Sequence, residues 1–313
     1  MSKLKILELF GGIGACSKAL ERLGIEYEIA DYVEIDKYAV KSFNAIHNTN
    51  FEPQDITTWD KDIKVDLIMH GSPCQDFSLA GKQAGGDKDS GTRSSLMYET
   101  IRIVEKLKPK YVIWENVKNL LSKKHRHNFD AYLERMEQLG YTNYYQVLNA
   151  KDYGIPQNRE RVFTISILDN SSYSFEFPPK QELKLKLKDM LEDEVDEKYY
   201  LIDKYLEFTN FYTIPRNSDG KLINGSYNRV WKKNKYIGAL NLTKITEIGE
   251  IVQEKLKIRK LTPIEVWRLM GFDDEDFEKA SKVNSNAQLY KQAGNSIVVN
   301  VLEAILRNLL NQK

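Results

Sequence analysis

The sequence lacks most of the features that would assign it at a glance. Two of its 313 residues are cysteine, Cys16 and Cys74, too few for a disulfide framework. Its four histidines are scattered, so no set of ligands has the spacing of a zinc site and no metal is expected. No run of about 18 apolar residues occurs, which excludes a membrane span. The N-terminal apolar stretch reaches glycine too soon for a signal peptide. An excess of one charge is also missing. The 46 Lys+Arg against 45 Asp+Glu leave a formal +1, and on that balance alone nucleic acid is not the indicated partner. The expected location is the reducing cytoplasm.

What is present is an ordinary globular composition, 42% hydrophobic and 29% charged, long enough for one large or two modest domains. The first half alternates short β-rich runs with amphipathic stretches. Strands are predicted at Lys5 to Leu9, Glu28 to Val33, Val65 to His70, Lys110 to Trp114, Tyr144 to Leu148 and Val162 to Ile167. Helices are predicted at Ser17 to Leu23, Lys37 to Ile46, Leu96 to Leu107 and Phe129 to Leu139. Strand and helix in strict order predict a parallel sheet with its ligand crevice at the carboxyl ends of the strands. From about Asn170 to Ile258 apolar periodicity weakens, and this stretch reads as a separate insert. Helical signals return at Thr262 to Met270 and at Ile297 to Leu310, the last too apolar to stand free. The expected divisions are therefore residues 1–169, 170–258 and 259–313, with the last helix packing back on the first domain.

Five short segments could carry chemistry. LELFGGIGACSKAL runs from a strand through Gly11, Gly12 and Gly14 into a helix, where backbone can approach a ligand closely. Ser17 stands at the third glycine of a dinucleotide fingerprint, and Glu34 follows the second strand as an acid suited to ribose hydroxyls. The bland alternative is a turn with no ligand. HGSPCQDFSLAG places Cys74 after a strand among polar neighbours, which suits a reactive thiol better than a buried one; Cys16, one turn into an amphipathic helix, reads as core. YVIWENVKNLL ends an apolar strand at Glu115 and Asn116, where desolvation can raise a carboxyl's pKa, although a helix cap would look the same. QNRERVF alternates Gln157, Arg159 and Arg161, placing both arginines on one strand face to meet an anion or a polar ring edge, or simply solvent. QAGNSIVVNVL sets Asn295 at the opening of the last helix, as a cap or a ligand group.

In this order, FGGIG, Glu34, Asp55 with Ile56, SPCQ, ENV, QNRER, RKLTPIE and KQAGNSIVVN resemble the successive motifs of the DNA (cytosine-5) methyltransferases. The likeness covers both ends of the chain and leaves about Asn170 to Ile258 unmatched. It implies a Rossmann-like α/β methyltransferase sheet that binds S-adenosylmethionine and releases S-adenosylhomocysteine, with a smaller, variable target-recognition domain. It further implies a Cys74 thiolate that adds to carbon 6 of a cytosine flipped from the duplex, with Glu115 acting on the ring nitrogen, Asn116 and Arg161 orienting these groups, and Arg159 contacting the base oxygen or the surroundings of Cys74. Phe10, Gly12, Ile13 and Gly14 would line the cofactor and Glu34, beside Ile35, would hold its ribose. Asp55 and Ile56 would meet the adenine, and Pro73, Leu96, Asn295 and Ser296 would complete the pocket. DNA contacts are expected from Arg229, Lys232, Lys233 and Lys235 around Trp231. The implied partners are double-stranded DNA and a restriction endonuclease of the same specificity, with the chain acting as a monomer. The competing expectations are a tRNA cytosine-5 methyltransferase of the same family and a catalytically silent DNA-binding relative. Ser72 stands where the family often has an aromatic residue, Asp76 where proline or a small residue is common, and Asn119 where glycine is frequent.

Overall fold

The computed structural model describes residues 3–73, 77, 85–87, 90–168, 174–200, 229–232, 235–242 and 258–310. The chain divides into two compact units, Met1–Leu185 with Trp267–Lys313, and Lys186–Val266.

The first unit is built on six strands, β1 (Leu4–Leu9), β2 (Tyr27–Val33), β3 (Leu67–His70), β4 (Tyr111–Val117), β5 (Tyr141–Asn149) and β6 (Glu160–Leu168), in the order β2-β1-β3-β4-β6-β5. Each falls on a predicted run. The expectation of a fully parallel sheet needs correction, however. β1 to β4 pair in parallel, but β6 runs antiparallel to both β4 and β5. The cause is the connection: only a short 3-10 turn, Ala150–Tyr153, and a few further residues join β5 to β6. A parallel return needs a crossover of a dozen or more residues, so β6 turns back instead.

Helices α1 (Ala15–Arg22), α2 (Lys37–His47), α3 (Met97–Leu107) and α4 (Arg126–Gln138) alternate with the strands. Ile101 and Val104 of α3 and Phe129, Tyr132 and Met136 of α4 bury their apolar stripes with Ile68, Val112 and Trp114 of the sheet. Toward the C-terminus, α5 (Pro263–Arg268) begins within the second unit, and α6 (Asp274–Ser281), α7 (Asn286–Asn295) and α8 (Val299–Leu310) belong to the first. The last of these packs on α1, and it buries Val301, Leu302, Ile305, Leu306 and Leu309. At ~1.5–3 kcal/mol for each large apolar side chain taken from water, that face accounts for the helix's return. Lys18 of α1 locks the same region by ion pairs to Asp273 at 2.8 Å and Asp276 at 3.0 Å.

The second unit holds an antiparallel sheet of β7 (Arg229–Lys232), β8 (Lys235–Leu242) and β9 (Ile258–Lys260). Arg259 and Glu265, 1% and 0% exposed, pair at 2.6 Å. Glu265 also accepts from the backbone N–H of Thr262 and of Glu192. These bonds explain why residues 259–266 belong to this unit, past the expected boundary at 258. At the other boundary, residues up to 185 stay with the first unit. There Tyr153 donates to the Pro178 carbonyl, Gln181 to that of Asp152, and Asn308 to that of Glu176. Among the described residues no helix is long and apolar enough to cross a membrane, and no group of three or more His, Cys, Asp or Glu could hold a metal.

Candidate active site

The site opens where β1 hands over to α1. Phe10, Gly12 and Gly14 all take left-handed backbone conformations, with φ of 53°, 58° and 83°. For Phe10 this costs of order 1 kcal/mol, a strain that clusters at functional turns. Gly14 is required twice over, because a Cβ there would meet the His47 ring and Phe43. His47 braces the turn, its Nε2 lying 3.3 Å from the Ile13 carbonyl oxygen; burial pushes its pKa down to about 4, so the ring is neutral and donates this bond. A Cβ on Gly12 would face open space, so the backbone is bare on the ligand side.

That open side belongs to a recess at the carboxyl ends of β1, β3 and β4. Of the expected residues, Phe10, Gly12, Glu115, Asn295 and Ser296 line it. Glu34, just past β2, joins it through Gly12: its Oε2 accepts from the Gly12 N–H at 3.2 Å and its Oε1 from the Asp36 N–H at 2.9 Å. Next to it Ile35 is 63% exposed, an apolar side chain with no cover among the described residues. The Gln54 N–H donates to the Glu34 carbonyl, which ties the segment with Asp55 and Ile56 to the same edge. The Asp55 carboxylate is engaged with the Thr57 N–H and hydroxyl, and Ile56 is buried in a core to which Phe10 and Leu96 also contribute. The Pro73 carbonyl accepts from the Ser94 hydroxyl. Ile13 and Gly14 stand behind the recess rather than on its wall, Ile13 with its side chain in the core.

Glu115 supplies the recess with an acid. It lies inside β4, not at its end as the sequence suggested, because β6 pairs with the strand as far as Val117. Burial pushes the Glu115 carboxyl up, outweighing the Arg161 and Arg159 charges that pull it down. Arg161 Nε contacts Glu115 Oε1 at 3.0 Å. Asn116 donates from Nδ2 to the Ser72 carbonyl at 3.2 Å. The expectation that Gln157, Arg159 and Arg161 alternate along one strand is corrected: β6 begins at Glu160, and Gln157 and Arg159 sit in the tight turn before it. The arginines converge on Glu115 all the same, because Arg159 reaches across to donate to the Ser296 carbonyl at 2.7 Å and the Gly294 carbonyl at 3.3 Å. Asn295 closes α7 rather than opening the last helix, since the turn at Ser296 separates α7 from α8.

Cys74 and Lys233 lie outside the described residues. Arg229 and Lys232 fall on β7 and Lys235 on β8, with Lys232 and Lys235 opposite each other in register. Cys16 is buried as expected, and burial drives its thiol well above the ordinary range. Sequence reasoning missed Glu8. It is 2% exposed, lines the recess from β1, and accepts from the Ser17 N–H and hydroxyl. Its only signal is an acid inside an apolar strand.

A family described as C-5 cytosine-specific DNA methylase matches residues 4–311. The type II methyltransferase M2.ScrFI of Lactococcus lactis subsp. cremoris is 37% identical, covering 99% of this chain and 100% of that protein. M.Bsp6I, a type II methyltransferase of Bacillus sp. (strain RFL6), is 35% identical over 98% of each. In fold, the chain superposes on the Dnmt2 methyltransferase of S. pombe with a TM-score of 0.74 at 22% identity, over 99% of this chain and 100% of that one. The sheet is thus the Rossmann-like methyltransferase sheet, with the mixed strand order described above.

Proposed function

This chain belongs to the C-5 cytosine-specific DNA methylases and is a DNA cytosine-5 methyltransferase, and we propose that it methylates a flipped cytosine in duplex DNA through a covalent bond to Cys74. The observation that carries the reading is Glu115, a buried acid paired with Arg161 in the lining of a recess whose other residues suit a nucleoside-bearing cofactor.

The residues fit S-adenosylmethionine. Glu34 presents carboxylate oxygens for the ribose hydroxyls, Ile35 offers the adenine an uncovered apolar side chain, and bare Gly12 with Asn295 and Ser296 would take the rest. When bound, that cofactor supplies an electrophilic methyl group on a sulfonium. Cytosine carbon 5 is a poor nucleophile until the ring's aromaticity is broken. The Cys74 thiolate adds to carbon 6, and the electron density pushed toward the ring nitrogen is met by a proton or hydrogen bond from Glu115. Burial raises the Glu115 pKa, which favours the protonated form that donation requires. Arg161 keeps the carboxyl aimed, and Asn116 ties its strand to the segment before Cys74. Carbon 5 then takes the methyl group, loses its own proton to a base, and the thiolate leaves as the double bond re-forms. The target atom is buried in stacked duplex, so the base must be flipped out first. Arg229, Lys232, Lys233 and Lys235 of the second unit are the proposed DNA contacts. The chain acts as a cytoplasmic monomer, and the type II names of its relatives support a restriction endonuclease of the same specificity as its counterpart.

The test is transfer of labelled methyl from S-adenosylmethionine to duplex DNA, with tRNA as a competing acceptor. DNA should be methylated and Cys74→Ala should abolish the transfer. An active Cys74→Ala protein would sink the mechanism, and preference for tRNA would overturn the substrate.

A further inference from the structure

The segment that carries Glu115 also grips the chain on both sides of Cys74 in sequence. Before Cys74, Trp114 Nε1 donates to Ser72 Oγ at 2.9 Å, and Asn116 Nδ2 donates to the Ser72 carbonyl. After it, just beyond the end of β4, Asn119 Nδ2 donates to the Phe77 carbonyl at 2.6 Å. Phe77 and Trp114 are themselves fixed. Phe77 is fully buried, set edge-on against His125 at 5.3 Å between ring centroids, with its ring against Gly86. Trp114 cannot swing away, because its indole is stacked with His70 and Phe129 and packed on Tyr132 at 4.2 Å.

We propose that Trp114 and Asn119 are positioning residues: by holding Ser72 and Phe77 they anchor the chain before and after Cys74 to the segment that carries Glu115. This rests on the reading of Cys74 as the nucleophile. The reaction asks for two groups at once, a sulfur at carbon 6 and an acid at the ring nitrogen, and the ring sets the distance between them. If thiol and acid were borne by segments free to slide past each other, the chain would have to order itself in each turnover. Anchoring the chain on either side of the thiol to the segment that bears the acid settles that order beforehand. Neither Trp114 nor Asn119 touches the base on this account. Both act through the backbone of the segment they hold.

The experiment uses the full chain. Asn119→Leu keeps the volume and removes the donor, Asn119→Gln keeps a carboxamide donor, and Trp114→Phe keeps a buried ring without its N–H. Single-turnover methyl transfer is measured at saturating duplex DNA and S-adenosylmethionine, with the equilibrium binding of DNA and of S-adenosylhomocysteine and the melting temperature measured on the same samples. Asn119→Leu is expected to slow the transfer step about tenfold, the order of loss for a reacting group displaced by a fraction of an ångström. Both binding constants should stay within about twofold, and Asn119→Gln should recover part of the rate. Trp114→Phe should behave like Asn119→Leu. If it fails to fold, the Asn119 pair carries the test. Transfer by Asn119→Leu within about twofold of the parent would overturn the proposal, as would a loss of binding in step with the loss of rate. A parent chain that transfers no methyl group to DNA would instead overturn the reading beneath it, and this one with it.

Discussion

Glu8 offers the sharpest numerical test of the structure. Its carboxyl is buried in β1, and desolvation raises its pKa from 4.5 to about 7 against the opposing bonds from Ser17 and Cys16. The unfolded chain ionises this group at the ordinary 4.5. Below that pH both states hold the proton and the group is neutral in the balance. Between 4.5 and about 7 the unfolded chain releases a proton that the folded chain keeps, so stability falls as pH rises, and above about 7 the loss is complete. At ~1.4 kcal/mol for each tenfold change in proton affinity, the full loss is about 3 kcal/mol. Glu8→Gln removes the titration while retaining an Oε1 that can accept from the Ser17 N–H and hydroxyl. Any fixed cost of seating the amide shifts the whole stability curve and leaves its slope alone. Urea unfolding of parent and variant across about pH 5 to 8 should therefore show the variant gaining on the parent by about 2–3 kcal/mol as pH rises. Two stability curves that run parallel over this range would refute the burial argument, whatever their offset.

Three further outcomes follow from the same geometry. Glu115→Gln should cut methyl transfer by about 100-fold or more in single-turnover assays, since it removes the group that can give a proton to the ring nitrogen; a loss under about tenfold would remove Glu115 from that role. Gly14→Ala should lower the stability read by urea unfolding by about 1–3 kcal/mol, because its φ of 83° is unfavourable and its Cβ would strike the His47 ring. Glu265→Gln strands the buried Arg259 charge and should destabilise the second unit by about 3–5 kcal/mol. Hydrogen exchange confined to residues 186–266 reads this, and unchanged protection there would show that the pair is not what holds the unit.

The strands were legible because each is a short apolar run bounded by turn residues, and that pattern depends only on neighbours in the chain. Direction was not legible from pattern. β6 reads like any other strand, and its reversal follows from the brevity of the Ala150–Arg159 connection, a constraint of geometry rather than of side-chain type. The same limit explains the arginines. Arg159 and Arg161 are spaced as if on one strand face, yet the strand starts between them, and they meet at Glu115 because Arg159 is drawn across to the carbonyls before and at Ser296.

The two cysteines separate what a sequence can and cannot say about reactivity. Cys16 was readable as core because its helix face is amphipathic, and burial then raises its thiol beyond use as a thiolate. Glu8 and Glu115 show that the same burial works to opposite chemical ends on an acid. A carboxyl taken from water holds its proton longer, which makes it a better donor and a worse ion. For Glu115 this was foreseeable, since polar residues follow it and suggest an edge. For Glu8 it was not, because one acid in LKILEL looks like an interruption of a strand rather than a wall of a cavity. The partners of Trp114 and Asn119, Ser72 and Phe77, each lie 42 residues away along the chain. No periodicity within a window of one helix or strand can report such a bond. What chooses these residues is the sheet order that sets β3 beside β4, so positioning groups become visible only once that order is known, whereas groups that react announce themselves by type.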